Sequence, residues 1–162
     1  MEPMLPKRMR AAVLERAFFA LGSLARRKSE NGPAHLAAGA EGEDAAFFYL
    51  LRAGYTVVAR RWSAGNLPGD VDLVAWHDDL LCFIEVKTRT SRDETPAQSA
   101  IDQRKRRVLR RLARAYLRQL GQTPQPENRF DAISVYLIPG RKPEIEHFEN
   151  AFGRQERREK TF

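Results

Sequence analysis

The sequence predicts an α/β domain in which helices flank a mixed central sheet, in the order αβββαβ, with an extra helix at the N-terminus. Three observations predict this fold class. The chain has 162 residues, a length typical of one domain. Strand-like alternation at 55–89 lies between two segments with helical periodicity. A further apolar run at 130–138 is suited to a buried strand.

Composition narrows the class of protein. The net charge of +7 and the pI near 10.0 favour a polyanionic partner, either nucleic acid or an anionic membrane surface. Cys82 is the only cysteine, which excludes an intramolecular disulfide and a Cys-rich zinc site. No apolar run approaches the ~20 residues that span a bilayer. We therefore expect a cytoplasmic protein without an integral membrane segment or an organic cofactor.

Residues 1–33 form a basic N-terminal extension around an apolar patch at 17–21. Glu15 and Arg16 interrupt the apolar region, and cations at 26–28 stand where a signal peptide would carry small residues. An amphipathic helix is therefore favoured. It could pack on the domain, bind a partner, or lie on a membrane surface.

The domain proper is expected over 34–150, followed by a charged tail at 151–162. Its first helix is predicted at 34–53 and ends at Gly54, a residue favoured just after a helix. Glu43 lies on or beside the buried stripe of this helix. Most helical glutamates are solvated, so a functional and a structural role both stay open for it.

Two predicted strands meet at Asp78-Asp79 and carry acids where strands ordinarily carry apolar side chains. A tight hairpin centred on this pair places Asp72 opposite Glu85, with Lys87 on the same face and Cys82 in the core on the other. Opposed residues on one face have Cβ atoms about 5 Å apart, so the two carboxylates repel unless a cation lies between them. The pattern predicts a divalent metal site beside a lysine, whose alternative role is a simple salt bridge.

The second helix is predicted at 96–120, with Ile101 in its apolar row, and its other faces are strongly basic. Its cations are Arg104, Lys105, Arg106, Arg107, Arg110, Arg111, Arg114 and Arg118. Only Asp102 opposes them, whereas solvated helices usually mix signs, so a polyanionic partner is favoured over a solvated face. Lys105 lies near the edge of the apolar row and is expected to point toward the acid pair. The residues expected to contact nucleic acid are Arg89, Arg104, Lys105, Arg107 and Arg111.

The last elements are the strand at 130–138 and a short edge strand, Glu144–Phe148. Asp131 could be a fourth acid, but a structural role is favoured. His147 has no partner His or Cys at metal-ligand spacing and is expected to be structural or exposed. From Glu149 onward we expect a frayed tail.

Several motifs follow one another in a specific order. They are Gly42-Glu43-Asp44-Ala45-Ala46, Gly69-Asp70-Val71-Asp72, Phe83-Ile84-Glu85-Val86-Lys87 and Phe130-Asp131-Ala132. Over roughly 34–148 this set resembles the UPF0102 (YraN-like) family of the PD-(D/E)xK superfamily, which is similar to archaeal Holliday-junction resolvases. One position departs from the pattern, because the family usually has Gly-Glu-x-Asp and this chain has Asp70.

The resemblance implies a restriction-endonuclease-like core and metal-dependent hydrolysis of phosphodiester bonds in DNA, with branched or junction DNA among the substrates. It implies that Glu43 faces the strand acids and joins Asp72, Glu85 and Lys87 as a catalytic residue. Asp72, Glu85 and the Val86 carbonyl would hold Mg²⁺ or Mn²⁺. By analogy, a homodimer would be natural for junction cleavage.

Two rival functions stay open. One is a nucleic-acid-binding protein without catalysis on a nuclease-like fold, in which the basic helix does the binding. The other is a membrane-surface or assembly factor that works through residues 1–30.

Overall fold

Helices cover both faces of a five-stranded sheet in the computed structural model, which describes residues 34–92 and 101–153. The helices are α1 (Ala34–Arg52) and α2 (Gln103–Leu120). The strands, which lie in the sheet in chain order, are β1 (Thr56–Trp62), β2 (Val71–His77), β3 (Leu80–Arg89), β4 (Asn128–Tyr136) and β5 (Glu144–Phe148). Only β3 and β4 pair in parallel, so the sheet is mixed. The predicted α/β class with a mixed sheet is confirmed.

Parts of the predicted organisation lie outside the described residues. These parts are the N-terminal extension at 1–33, the segment at 93–100 and the end of the tail at 154–162. Within the described residues, neither helix combines the length and apolarity needed to cross a membrane.

The two faces of the sheet bury separate apolar clusters because strand side chains alternate. On the α2 face, Val74 and Phe83 pack with helix residues such as Leu112. On the α1 face, Ile84 packs with helix residues such as Leu50. Cys82 is fully buried on the α1 face, so its predicted core position is confirmed.

The β2–β3 hairpin has the predicted register. His77 pairs with Leu80 and Val74 pairs with Phe83. Asp78 adopts a left-handed backbone with φ 52°, as tight hairpin turns require.

Helix α1 lies close against β3 because Gly42 has no side chain. A Cβ atom at Gly42 would come within 1.9 Å of Oγ1 of Thr88, a distance that no real contact allows. The helix ends one residue earlier than predicted, and Gly54 follows with φ 95°, as expected for a helix C-terminus. The close approach brings Glu43, next in the chain, to the end of the sheet where the acids lie.

The predicted start of the second helix is wrong. The helix begins at Gln103, after Asp102, whose backbone is extended (φ −66°, ψ 167°) and whose carboxylate accepts the N–H of Lys105 at 2.7 Å. Asp favours this capping position, so the residue interpreted as the lone anion of the basic helix starts the helix instead. Ile101 therefore precedes the helix, although it is buried as expected.

The chain beyond β5 is packed rather than frayed at Glu149. Ala151 N–H donates to the Phe130 carbonyl at 2.8 Å, and the Phe152 ring stacks on Phe130 with centroids 4.8 Å apart. Phe152 is buried in the α2-face cluster, and its apolar surface holds the segment in place. Strand β4 also begins two residues before the predicted start.

Candidate functional site

The predicted acid pair lies at the end of the β2–β3 ladder. One step beyond the pair of Leu73 with Ile84, the two strands reach Asp72 and Glu85. Their alternation with Val74 and Phe83 puts both acids on the α2 face. Val86 N–H donates to Oδ2 of Asp72 at 2.7 Å, so the Asp72 carboxylate lies directly against β3.

The surroundings of Asp72 disfavour its charged form. Burial, followed by the charge of Glu85, raises the pKa of Asp72 from its ordinary 3.8 to about 7. The Val86 hydrogen bond and Lys105 act in the opposite direction without cancelling the rise, and Glu43 adds to it. A second charge near this carboxylate is therefore costly unless a cation compensates for it.

Glu85 is the most deeply buried member of the site, with 3 % of its side chain exposed. Lys87 Nζ donates to Oε1 at 2.9 Å, so the salt bridge proposed as this lysine's alternative role is present. Lys105 Nζ lies 3.0 Å from Oε2, but the contact lacks hydrogen-bond geometry, and this buried oxygen accepts no hydrogen bond within the described part of the chain. Lys105 thus points toward the acid pair, as its place on the helix predicted.

Lys105 also contacts the loop before β2. Its Nζ is 3.5 Å from the Asp70 carbonyl oxygen. Burial by itself would lower the pKa of Lys105, but the charge of Glu85 at a contact distance of 3.0 Å raises the pKa by a larger amount, so the net pKa is raised. The ammonium is therefore charged at neutral pH.

Glu43 reaches the same end of the sheet but is held by an arginine. Arg61 donates from Nε to Oε2 of Glu43 at 2.7 Å and from Nη2 to Oε1 at 3.0 Å. Arg61 has φ 47°, a left-handed conformation that costs a non-glycine residue about 1–2 kcal/mol. Glu43 also lines a cavity of about 330 Å³ with Val86 and Thr88. Glu43 is near the acid pair. Within the described residues, no hydrogen bond or ion pair joins it directly to Asp72 or Glu85.

Sequence reasoning missed Arg61. The available signal was the pair of arginines, Arg60-Arg61, inside a predicted strand. Its left-handed backbone and its partner across the fold were not readable from the sequence.

A basic groove of about 470 Å³ adjoins the site. Its walls are Pro68 and Gly69 of the β1–β2 loop and, from α2, Arg104, Lys105, Arg107, Val108 and Arg111. The four α2 cations predicted to contact nucleic acid therefore share one groove. Arg89 is not among its lining residues, because it lies at the end of β3, where its carbonyl accepts the Leu137 N–H at 2.8 Å.

The β1–β2 loop is anchored where it forms the groove wall. Ala64 and Leu67 pack on the α2-face core, and Leu67 N–H donates to the Ala64 carbonyl at 2.9 Å. Gly69 has φ 82°, and a Cβ atom there would lie 3.1 Å from Cγ1 of Val108. Glycine is thus needed both for the backbone conformation and for the close approach to α2.

The donor set is suited to a hard divalent cation. Asp72 and Glu85 supply carboxylate oxygens, and the buried Oε2 of Glu85 accepts no hydrogen bond from the residues that the structure describes. No group of three or more His, Cys, Asp or Glu in the described ranges could hold a metal. Two carboxylates and the Val86 carbonyl would still suit Mg²⁺, which keeps several waters and typically uses one or two carboxylates.

Asp131 lies on the opposite, α1 face of the sheet and is structural, as favoured from the sequence. It is fully buried and contacts Arg129 and His147, and its Oδ1 accepts the Asn150 N–H at 2.9 Å. His147 is 7 % exposed and belongs to the same network.

Comparisons with known proteins identify the family of this chain. The family model described as "Uncharacterised protein family UPF0102" matches residues 42–135, which include the acid pair and the basic groove. A UPF0102 protein of Koribacter versatilis is 47% identical over 121 residues, covering 74% of this chain and 82% of that relative. A UPF0102 protein of Rhodococcus jostii is 40% identical over 118 residues, covering 73% of this chain and 98% of that relative. With more than half of its length matched and with relatives this similar, the chain belongs to the UPF0102 family.

Proposed function

We propose that the protein is an endonuclease that depends on a divalent cation and hydrolyses phosphodiester bonds in DNA. The observation that carries the proposal is the convergence of Asp72 and Glu85 from neighbouring strands, with the ammonium groups of Lys87 and Lys105 beside Glu85. An acid with a strongly raised pKa, Asp72, beside a second acid at the edge of a basic groove is more typical of a functional site than of a structural ion pair.

Phosphodiester hydrolysis needs an activated water, neutralisation of phosphate charge and stabilisation of the leaving oxygen. A bound Mg²⁺ or Mn²⁺ supplies part of each. Asp72 and Glu85, with the Val86 carbonyl, would hold the cation. Lys87 would orient the attacking water or stabilise the charge that develops on the phosphate. Glu43, oriented by Arg61, would position groups around the acid pair without being a direct ligand.

The basic groove supports a nucleic-acid substrate. Arg104, Arg107 and Arg111 line it beside Lys105, and the arginine guanidinium suits bidentate contacts with phosphate. The sugar-phosphate backbone next to the cleaved bond would lie along α2. A homodimer acting on branched or junction DNA in the cytoplasm belongs to the same proposal, and sedimentation of the protein with and without a four-way junction tests the dimer.

The test is a cleavage panel with single-stranded, duplex, flapped and four-way DNA, each with Mg²⁺, Mn²⁺ or EDTA. We expect cleavage with the cations only. Glu85→Ala and Lys87→Ala should abolish cleavage while DNA binding, measured in EDTA, is kept. Glu144→Ala, which changes a half-exposed acid on β5, is the matched control and should leave cleavage unchanged. Cleavage that survives both site substitutions would contradict the proposed site.

A second candidate function is a nucleic-acid-binding protein without catalysis. It is favoured by one observation, because both oxygens of Glu85 already contact an ammonium group and are neutralised without a metal. A titration with Mn²⁺ separates the two. Absence of binding at millimolar Mn²⁺, together with DNA binding through the groove, would establish the second function and exclude the first.

A further inference from the structure

Lys105 contributes both to the basic groove and to the acid pair. It lines the basic groove with Arg104, Arg107 and Arg111, and its Nζ lies 3.0 Å from Oε2 of Glu85. Its side chain is 28% exposed, whereas the three arginines are exposed. Within the described ranges, it is the one groove-lining cation in contact with the acid pair.

The start of α2 fixes where Lys105 stands. The carboxylate of Asp102 accepts the backbone N–H of Lys105, and the Asp102 carbonyl accepts the N–H of Arg106 at 3.0 Å. Arg106 Nε in turn donates to the Ile101 carbonyl at 2.8 Å, and Ile101 is buried. This anchored first turn holds the base of the Lys105 side chain beside the acid pair, while its flexible stem leaves the ammonium free to move a short distance.

The two lysines hold Glu85 differently. Lys87 donates a hydrogen bond to Oε1, and it lies two residues from Glu85 on the same strand. Lys105 approaches Oε2 from another element, through charge alone, and leaves that oxygen without a hydrogen bond. Because its contact with Lys105 lacks hydrogen-bond geometry, Oε2 is held less firmly than Oε1 and is the oxygen of Glu85 more open to a different cation. A divalent cation held at this oxygen would compete with the ammonium of Lys105 for it.

We infer that Lys105 is a positioning residue that couples the binding of the divalent cation to the binding of nucleic acid. Without the cation Lys105 neutralises Glu85, and with the cation held by Asp72 and Glu85 its ammonium would be free to contact a phosphate in the groove. The inference rests on the proposed function and deepens it. Formally, the charges of Asp72 and Glu85 balance those of Lys87 and Lys105, so a divalent cation leaves two positive charges in excess beside the groove. A phosphate compensates for that excess, and by linkage each ligand strengthens the binding of the other by the same factor.

The first measurement is calorimetric titration of the full chain with Mn²⁺ in the absence of DNA. We expect Lys105→Met to bind Mn²⁺ about tenfold more tightly than the wild type because the competing ammonium is gone. Arg111→Met is the matched control, since it removes one charge from the same groove without a described contact to Glu85. It should stay within about twofold of the wild type.

The second measurement is the affinity for a short fluorescein-labelled DNA duplex in EDTA and in Ca²⁺, which takes the same oxygen ligands. Wild type and Arg111→Met should each bind the duplex about tenfold more tightly in Ca²⁺, and Lys105→Met should lose most of this gain. Gel analysis of the duplex after each titration ensures that the measured affinity is that of uncut DNA.

The outcomes separate this inference from the proposed function. If the wild type does not bind Mn²⁺, the proposed function fails, and the inference fails with it. If the wild type binds Mn²⁺ but Lys105→Met binds it no more tightly, or keeps the gain in Ca²⁺, only the role of Lys105 is contradicted. Circular dichroism checks that the variant is folded. If Lys105→Met does not fold, Lys105→Gln, which keeps a polar end without the charge, is held to the same two criteria.

Discussion

A fully buried acid, Asp131, and a partly buried acid, Asp72, lie on opposite faces of the same sheet in very different surroundings. On the α1 face, Asp131 is fully buried, and both of its oxygens accept hydrogen bonds, from Arg129 or His147 to Oδ2 and from the Asn150 N–H to Oδ1. On the α2 face, Asp72 accepts one described hydrogen bond, from the Val86 N–H. Its neighbour Glu85 has an oxygen that accepts none.

The difference distinguishes a structural acid from a candidate functional one. The Asp131 network links β4 to β5 and to the segment beyond it, and Arg129 also contacts Glu149 and Tyr55. Burial, followed by the hydrogen bond to Glu149, raises the pKa of Tyr55, which keeps its hydroxyl protonated as a donor. The acid pair on the other face has a raised pKa at Asp72, and Oε2 of Glu85 is 3.0 Å from the Lys105 ammonium without a hydrogen bond among the described residues.

The largest effect on stability is expected for the structural acid, Asp131. Asp131→Asn should lower the free energy of unfolding by about 3 kcal/mol, because it removes the buried carboxylate and leaves Arg129 with only the exposed Glu149 as a charged partner. Urea unfolding followed by circular dichroism measures this loss, with the exposed turn substitution Asp79→Asn as control. In the absence of urea, this variant should bind Mn²⁺ at the opposite face as tightly as the wild type does. A loss below about 0.5 kcal/mol, the size of an ordinary surface substitution, would remove the contrast between the two acids.

The second-largest expected effect is an increase in stability. Asp72→Asn should raise the free energy of unfolding in EDTA at alkaline pH by about 2 kcal/mol, because it removes a buried charge beside Glu85 and keeps an acceptor for the Val86 N–H. The same variant should lose the rise in melting temperature that Mn²⁺ gives the wild type. Destabilisation of the variant in EDTA would show that Asp72 is a structural acid like Asp131.

The pH dependence of stability gives a further test of the difference between Asp72 and Asp131. The folded-state pKa of Asp72, about 7, is higher than its ordinary value of 3.8, so in this range the folded protein binds more protons than the unfolded chain. The contribution of Asp72 to stability therefore falls as pH rises from about 4 to about 7, and then levels off. The stability difference between Asp72→Asn and wild type should grow over that window, as urea unfolding at a series of pH values would measure. A difference that is constant with pH would contradict the raised pKa.

The smallest effect concerns the basic groove. Arg107→Met should weaken DNA binding several-fold and reduce the slope of log affinity against log salt by about 1, because one phosphate contact is lost. Fluorescence anisotropy over a range of salt concentrations measures both quantities. Arg118→Met, an exposed arginine on the last turn of the same helix and outside the groove, should leave the slope unchanged. Equal slopes for the two variants would mean that charge anywhere on α2, rather than the groove, attracts DNA.

Much of the candidate site could be predicted because it depends on local rules. Strand alternation and a two-residue turn set the register of the β2–β3 hairpin, and that register puts Asp72 and Glu85 on one face with Lys87. The same alternation assigned Cys82 to the core, and helical spacing aimed Lys105 at the acids. Each of these inferences needs only the geometry of one or two neighbouring elements.

Other features depended on competition between local signals. The apolar row that includes Ile101 favoured an earlier helix start, but the capping hydrogen bond of Asp102 prevailed. Similarly, the charged composition after β5 favoured fraying, but the burial of Phe152 against Phe130 outweighs it. Sequence patterns indicate each of these preferences but not their relative free energies, so they do not show which preference prevails.

What the sequence by itself determined is the order of the elements, the register of the hairpin and the pairing of the two acids, because these follow from periodicity and turn chemistry. Only the tertiary structure decided that Arg61 would hold Glu43, that Lys105 would meet Oε2 of Glu85, and that Asp131 would be satisfied on the other face. Those contacts join residues far apart in the chain, and they form only where close packing at Gly42 and Gly69 lets helix, loop and strand approach one another.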